Sequence, residues 1–201
     1  MALSLQSLIK RGSDLEKEHY GDLSWKFSSL VGEVIEMPSG PMTCAISFAG
    51  DLILSAQTIG EPCAWVHATK SIFFPPDFHT LGVDLNALAL IKVDTAQKAA
   101  YCAERLIKSG GFGCVVVDLP RESWFSVALQ KRIANYVRKE RACVLYLIQT
   151  LEGEDYERLG SSTSIFAESD RLEDTTLRIC LRKKGRRFEC IKERDGTPGL
   201  R

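Results

Sequence analysis

The sequence predicts an α/β protein: a doubly wound, mostly parallel sheet flanked by helices, with a C-terminal antiparallel hairpin. Three observations carry this expectation. Unbroken apolar runs at Gly113 to Leu119 and Cys143 to Gln149 have the character of parallel strands buried on both faces. Segments with apolar residues at helical spacing alternate with such runs. Two short alternating segments, Leu177 to Arg182 and Arg187 to Lys192, flank the turn Lys183-Lys184-Gly185-Arg186 and read as a hairpin.

Composition bounds the rest. At 201 residues and 45% hydrophobic the chain has material for one well-filled core. Lys+Arg and Asp+Glu are equal at 26 each, so any affinity for nucleic acid or membrane must come from a local patch. Seven cysteines, an odd number without a C-x-x-C pair, read as reduced, buried small hydrophobes. No signal peptide, lipidation motif or long apolar run is visible, which sets the expectation of a cytoplasmic, soluble protein.

Taken in order, residues 1–31 form an N-terminal helical arm with Leu5, Leu8 and Ile9 on one face, suited to packing on the body or on a partner. The core spans 32–194, and 195–201 is a frayed tail. Gly32 to Glu36 opens the core as a strand, followed by a turn through Gly40 and a helix over 42–58 that Gly60 ends. Cys63 to Ala68 is the second strand. Residues 69–86, with Phe73-Phe74-Pro75-Pro76 and Gly82, break regular structure before the strand Leu88 to Val93. Asp94-Thr95 caps a helix through Lys108, the strand to Leu119 follows, and a helix runs from about Ser123 to Glu140. Beyond the strand Cys143 to Gln149, residues 151–164 are rich in Gly, Ser and charge and read as a loop.

The turn Pro38-Ser39-Gly40-Pro41-Met42-Thr43 stands where a nucleotide-binding α/β domain keeps its phosphate loop. Such a loop surrounds phosphates with backbone N–H groups, a lysine and a magnesium-binding hydroxyl. Pro41 has no N–H and no charge, and Met42 offers no oxygen ligand, so position and chemistry disagree. Asp118 at a strand's carboxyl end is either a turn residue or a weak metal site, and Gln149 either a polar strand terminus or a ligand sensor. His67 reads as a satisfied strand-end histidine. Arg182, Lys183, Lys184, Arg186 and Arg187 form the strongest charge feature, a solvated turn or a patch for nucleic acid or an acidic partner. Phe73, Phe74 and Phe78 are core plugs or an exposed anchor.

The order of these segments, from Gly32 to Gly196, resembles the ATPase core of the RecA recombinase family. Gly32 to Glu36 resembles the strand entering that family's phosphate loop, Gly60 to His67 its second strand, and Val115-Val116-Val117-Asp118 its Walker B strand. Leu81-Gly82-Val83-Asp84 and Asp94-Thr95 resemble short signatures between strands. On this resemblance Pro41 and Met42 replace the family's Lys-Thr, and Thr69 stands in place of its catalytic glutamate. Asp118 is then a Walker B relic and Gln149 a sensor relic, while Lys192 and Arg194 match paired basic residues offered across a subunit interface.

The resemblance implies a RecA-like fold without ATPase catalysis, metal or cofactor. With four residues between Asp118 and the following helix, the first DNA loop is expected to be cut down. The plan is similar to ImuA-type translesion-synthesis accessory proteins. The implied role is an accessory of the DNA-damage (SOS) response, with a RecA recombinase or error-prone polymerase subunits as partners and DNA reached through the basic hairpin. A cell-division inhibitor of similar fold and a weak nucleotide-binding ATPase are the alternatives.

Overall fold

A computed structural model describes residues 23–68, 73–121, 123–151, 158–160, 162–173 and 175–193. Leu5, Leu8, Ile9, Thr69 and Arg194 lie outside the described residues. The first described element is the single-turn helix α1 (Phe27–Leu30), followed by strand β1 (Val34–Ser39) and helix α2 (Ala45–Thr58). Next come β2 (Cys63–Ala68), the short helix α3 (Pro75–Thr80) and β3 (Leu88–Val93). Helix α4 (Ala96–Lys108), β4 (Cys114–Leu119), α5 (Val127–Lys139) and β5 (Cys143–Gln149) complete the wound part. The chain then runs through β6 (Ile165–Arg171), β7 (Thr176–Lys183) and β8 (Arg186–Glu193).

These strands form one sheet of eight in the order β3-β2-β4-β5-β1-β6-β7-β8. All pairings from β3 to β6 are parallel, and β6-β7 and β7-β8 are antiparallel. The parallel strands are apolar on both faces because both are covered. Ile35, Met37, Trp65, Val116 and Leu145 pack under α1 and α2 in one cluster. Val66, Val117, Val144 and Tyr146 pack under Ala99, Ala103, Ile107, Leu129 and Ile133 of α4 and α5 in the other. The result is the three-layer α/β/α arrangement of a RecA-like fold.

Caps and turns agree with the local sequence. The Thr95 hydroxyl accepts from the Lys98 amide, and the Ser126 hydroxyl from the Leu129 amide, so each helix start has one orphan donor satisfied. Lys184 and Gly185 both have positive φ, at 47° and 77°, as a two-residue hairpin turn requires.

Several expectations are corrected. The strand β1 continues through Ser39, so Pro38 and Ser39 belong to the sheet and not to the turn. The Ser39 carbonyl accepts from Thr150 on the β5 side. Pro38 therefore faces the β6 side, beyond Glu36, the last β1 residue paired there, where its missing N–H interrupts no ladder. The helix begins at Ala45, not Met42. Pro75-Pro76, read as breakers, instead occupy the first turn of α3, where a missing N–H costs nothing. Helix α5 starts at Val127, leaving residues 120–126 as the connection after β4, longer than the expected four. The strand β6 is absent from the sequence reading altogether.

Candidate site at the carboxyl edge of the sheet

Six parallel strands end on one edge, and their side-chain alternation sorts the last residues by face. Ser39, His67, Asp118, Gln149 and Arg171 share the parity of core residues Met37, Trp65, Val116, Leu147 and Ala167, which pack toward α2. A cavity of about 770 Å³ opens at this edge, lined among others by Ser39, Gly40, Pro41, Thr43, Phe74, Asp77, Arg121, Gln149, Leu151 and Arg171. It lies outside the carboxyl ends of the strands, where open α/β sheets hold their ligands.

The turn that borders the cavity is closed on itself. The Gly40 amide donates to Thr43 Oγ1 at 3.0 Å, and the same hydroxyl sits 3.0 Å from the Gly40 carbonyl. The Thr43 amide donates back to the Gly40 carbonyl, also at 3.0 Å. The Cys44 amide donates to Ser169 Oγ at 3.2 Å, which ties the start of α2 to β6. Of the five positions between strand and helix, 40, 43 and 44 thus have their amides engaged and proline at 41 has none, while the Pro41 and Met42 side chains are exposed to solvent. Gly40 is also held against β5: a Cβ there would lie 2.6 Å from Thr150 Oγ1 and 2.9 Å from the Thr150 carbonyl oxygen.

Asp118 and Gln149 are brought together. Gln149 Nε2 donates to Asp118 Oδ1 at 3.4 Å, across the boundary between β5 and β4. Asp118 is fully buried. His67 is its register neighbour on β2, and its Nδ1 has no hydrogen-bond partner, so the expectation of a satisfied histidine is not met. Among the described residues no group of three or more His, Cys, Asp or Glu is arranged to hold a metal ion.

The basic residues fall elsewhere. The β7-β8 turn lies at the opposite end of the sheet from the cavity, because β7 runs antiparallel to β6. There Lys183 Nζ pairs with Glu33 Oε1 at 2.6 Å at the foot of β1, and Arg182 pairs with Glu168 at 2.7 Å. The Arg187 guanidinium donates to Cys180 Sγ at 3.1 Å, while Lys184 and Arg186 flank the glycine of the turn. Lys192 is at the cavity end, ion-paired with Asp51 of α2.

No protein-family model matches the chain. Curated RecA proteins do show similarity. The chain is 25% identical over 194 residues to the RecA protein of Rhodospirillum centenum, covering 84% of this chain and 51% of that one. With RecA of Rhodospirillum rubrum it shares 29% over 122 residues, 57% of this chain and 33% of the relative. With RecA of Haemophilus ducreyi it shares 30% over 92 residues, 44% and 23% respectively. The chain is a distant RecA-like protein. It spans at most about half the length of these relatives. Among the described residues no helix is long and apolar enough to cross a membrane.

The RecA-like core also carries features that the sequence reading missed. Arg121 and Arg171 line the cavity from the connection after β4 and the end of β6. Neither belongs to a motif, and Arg171 sits on the strand that was not foreseen. The phenylalanines divide: Phe73 and Phe78 pack on Trp65 with ring centroids 5.2 Å away, whereas Phe74 is exposed at the cavity.

Proposed function

We propose that this chain is a non-catalytic RecA-like accessory protein of the DNA-damage (SOS) response. In this reading it binds a recombinase or an error-prone polymerase subunit and modulates recombination or mutagenic repair. The observation that carries it is the closed turn at 40–43. A triphosphate needs a cation and several unengaged amides at that position, and here Pro41 and Met42 stand there while Gly40 and Thr43 bond to each other. Phosphoryl transfer depends almost wholly on positioning and charge stabilisation, so losing both leaves little catalytic power. Asp118 and Gln149 remain in contact, and in this reading their bond is structural.

The kept fold supports a role in binding. A subunit with the family's sheet and an altered phosphate turn can dock against a recombinase without the nucleotide cycle that releases it. The experiment is co-sedimentation with recombinase filaments on single-stranded DNA, combined with a strand-exchange assay. The expected result is a complex, weakened by Leu8→Asp or Lys192→Glu, and altered strand exchange. Unchanged filaments and strand exchange, with polymerase subunits also failing to co-purify, would overturn the reading. Saturable ATP binding with phosphate release would favour an ATPase instead.

A further inference from the structure

Among the described residues, five of the ten exposed large apolar side chains lie in the connections at the carboxyl edge of the sheet. Met42 follows β1, Phe74 follows β2, Trp124 follows β4, Leu151 follows β5 and Leu172 follows β6. Each of these five connections at the carboxyl edge thus presents one such residue to solvent. Single exposed hydrophobes need no explanation, but one from every neighbouring connection around a concave opening makes an apolar rim. Phe74 and Leu151 line the cavity itself, and Met42 and Leu172 adjoin the lining residues Pro41, Thr43 and Arg171. Trp124 stands three residues beyond Arg121 on the same edge.

Charge narrows the occupant. Among the described residues, two guanidinium groups, Arg121 and Arg171, and one carboxylate, Asp77, line the opening. Arg171 is exposed. The turn at 40–43 offers engaged amides and a proline, which suits neither a phosphate chain nor a magnesium ion. A cavity of about 770 Å³ with apolar walls and a few polar groups is of the size that takes two or three side chains of a bound segment.

We infer that this cavity and its rim are the docking site for a short protein segment that carries aliphatic or aromatic side chains next to carboxylates. The apolar side chains enter between Phe74 and Leu151, and the carboxylates face Arg171. This rests on the reading that the chain acts by binding a protein partner, and it says with which surface and which chemistry. Aromatic and arginine anchors around a desolvated pocket are where binding energy concentrates.

The molecule carries its own reporter. Of its three tryptophans, Trp25 is 8% exposed, Trp65 is 0% exposed and Trp124 is 74% exposed, so a blue shift of indole emission on binding reports on Trp124. The test is selection of random dodecapeptides displayed on phage against the full chain, followed by fluorescence titration of the selected peptides. The expected peptides pair Asp or Glu with Leu, Ile or Phe and shift the emission to the blue, a shift that Trp124→Phe abolishes. Their affinity falls on the order of tenfold with Leu151→Ser and again with Arg171→Glu.

Retention of no peptide, retention of basic or wholly polar peptides, or binding unaffected by both substitutions overturns the inference. So does a blue shift produced by ATP or by a single-stranded oligonucleotide that competes with the peptides. A Phe74→Ser, Leu151→Ser, Arg171→Glu variant separates the two readings. If it still co-sediments with recombinase, the docking site is wrong and the accessory role stands. If selected peptides dock as expected while no recombinase or polymerase subunit binds, the site stands and the accessory role falls.

Discussion

The Glu36 carboxylate, in the middle of the central strand β1, accepts a hydrogen bond of 2.7 Å from the backbone amide of Leu159. Glu36 is fully buried on the face that α4 and α5 cover, and the guanidinium of Arg158 lies 3.9 Å from its other oxygen. Gln130 of α5 completes the attachment by donating to the Leu159 carbonyl at 2.8 Å. The connection between β5 and β6 is therefore tied to the sheet from inside the core. Glu36→Ala removes the acceptor and leaves a partly buried amide unsatisfied, at a cost of roughly 1–3 kcal/mol. Urea unfolding should show this loss. Limited proteolysis should cut faster between 151 and 164 in the variant than in Gln130→Ala, which leaves the carboxylate in place.

Gly40 makes a second prediction, about space and not about charge. An alanine Cβ would press on the backbone carbonyl of Thr150 as well as on its hydroxyl, so no rotamer change relieves it. Gly40→Ala is expected to cost about 1–3 kcal/mol, which lowers Tm by several degrees in a chain of this size. Thr150→Ser should not rescue it, because the carbonyl stays. The same turn predicts that Pro41→Lys with Met42→Thr restores the missing side chains without restoring nucleotide affinity. The Gly40 amide stays bonded to the Thr43 hydroxyl and the Thr43 amide to the Gly40 carbonyl. Isothermal titration with Mg-ATP should remain flat, and a saturable isotherm would show that the turn opens once the cation is supplied.

Much of this arrangement was legible in the residues. The run Val115-Val116-Val117 announces a central strand because only burial on both faces suits three adjacent β-branched side chains, and all three are fully buried. Thr95 and Ser126 announce their helices by capping chemistry. The strand β6 was illegible because Glu168, Ser169, Asp170 and Arg171 give its second half the composition of a loop. Its strand conformation is imposed by neighbours, β1 on one side and β7 on the other. Pro38 misled for a related reason: proline reads as a turn residue unless one knows that pairing to β6 has already ended. Within the site, Pro41 and Met42 were visible as departures, whereas the bond between Gly40 and Thr43 is a matter of geometry. The rim was invisible because periodicity says nothing about an apolar residue in a connection, as the opposite fates of Phe74 and Phe78 illustrate.

The basic hairpin yields a prediction with two readouts. Lys183 and Glu33 are both largely buried and paired at 2.6 Å, so the lysine is part of the sheet's foot and not of a free cationic surface. Glu33→Ala leaves the largely buried ammonium without this carboxylate and should destabilise the fold by roughly 1–3 kcal/mol, with its remaining exposure keeping it from costing more. Double substitution to Glu33→Ala with Lys183→Met should recover most of that. If the turn touches DNA, removing Lys183 should leave the salt dependence of binding unchanged, because its charge is already matched by Glu33.

Three buried acids set the alkaline limit of stability. Cys114 and Cys143 lie side by side on β4 and β5 with Cys63 beyond them on β2, all buried. The Cys114 thiol is pushed well up, first by its hydrogen bond with Cys63 and then by burial, and the Cys143 thiol is pushed up by burial and by nearby Glu33. Burial does the same to the Tyr146 phenol, whose hydroxyl has no hydrogen-bond partner. A raised pKa in the fold means that the native state holds its proton where the unfolded chain has released it. The native state then binds more protons than the unfolded one, so stability is complete below the unfolded values, near 9.0 for cysteine and 10.0 for tyrosine, and falls above them. Each group contributes a slope of about 1.4 kcal/mol per pH unit once the unfolded chain ionises. Unfolding free energies from urea titrations between pH 8 and pH 11 should therefore decline with increasing steepness. Tyr146→Phe should flatten the part above pH 10, and Cys143→Ala the part from pH 9, each against its own stability at pH 8. A curve of equal slope in the wild type and both variants would place these groups in contact with solvent in the native protein.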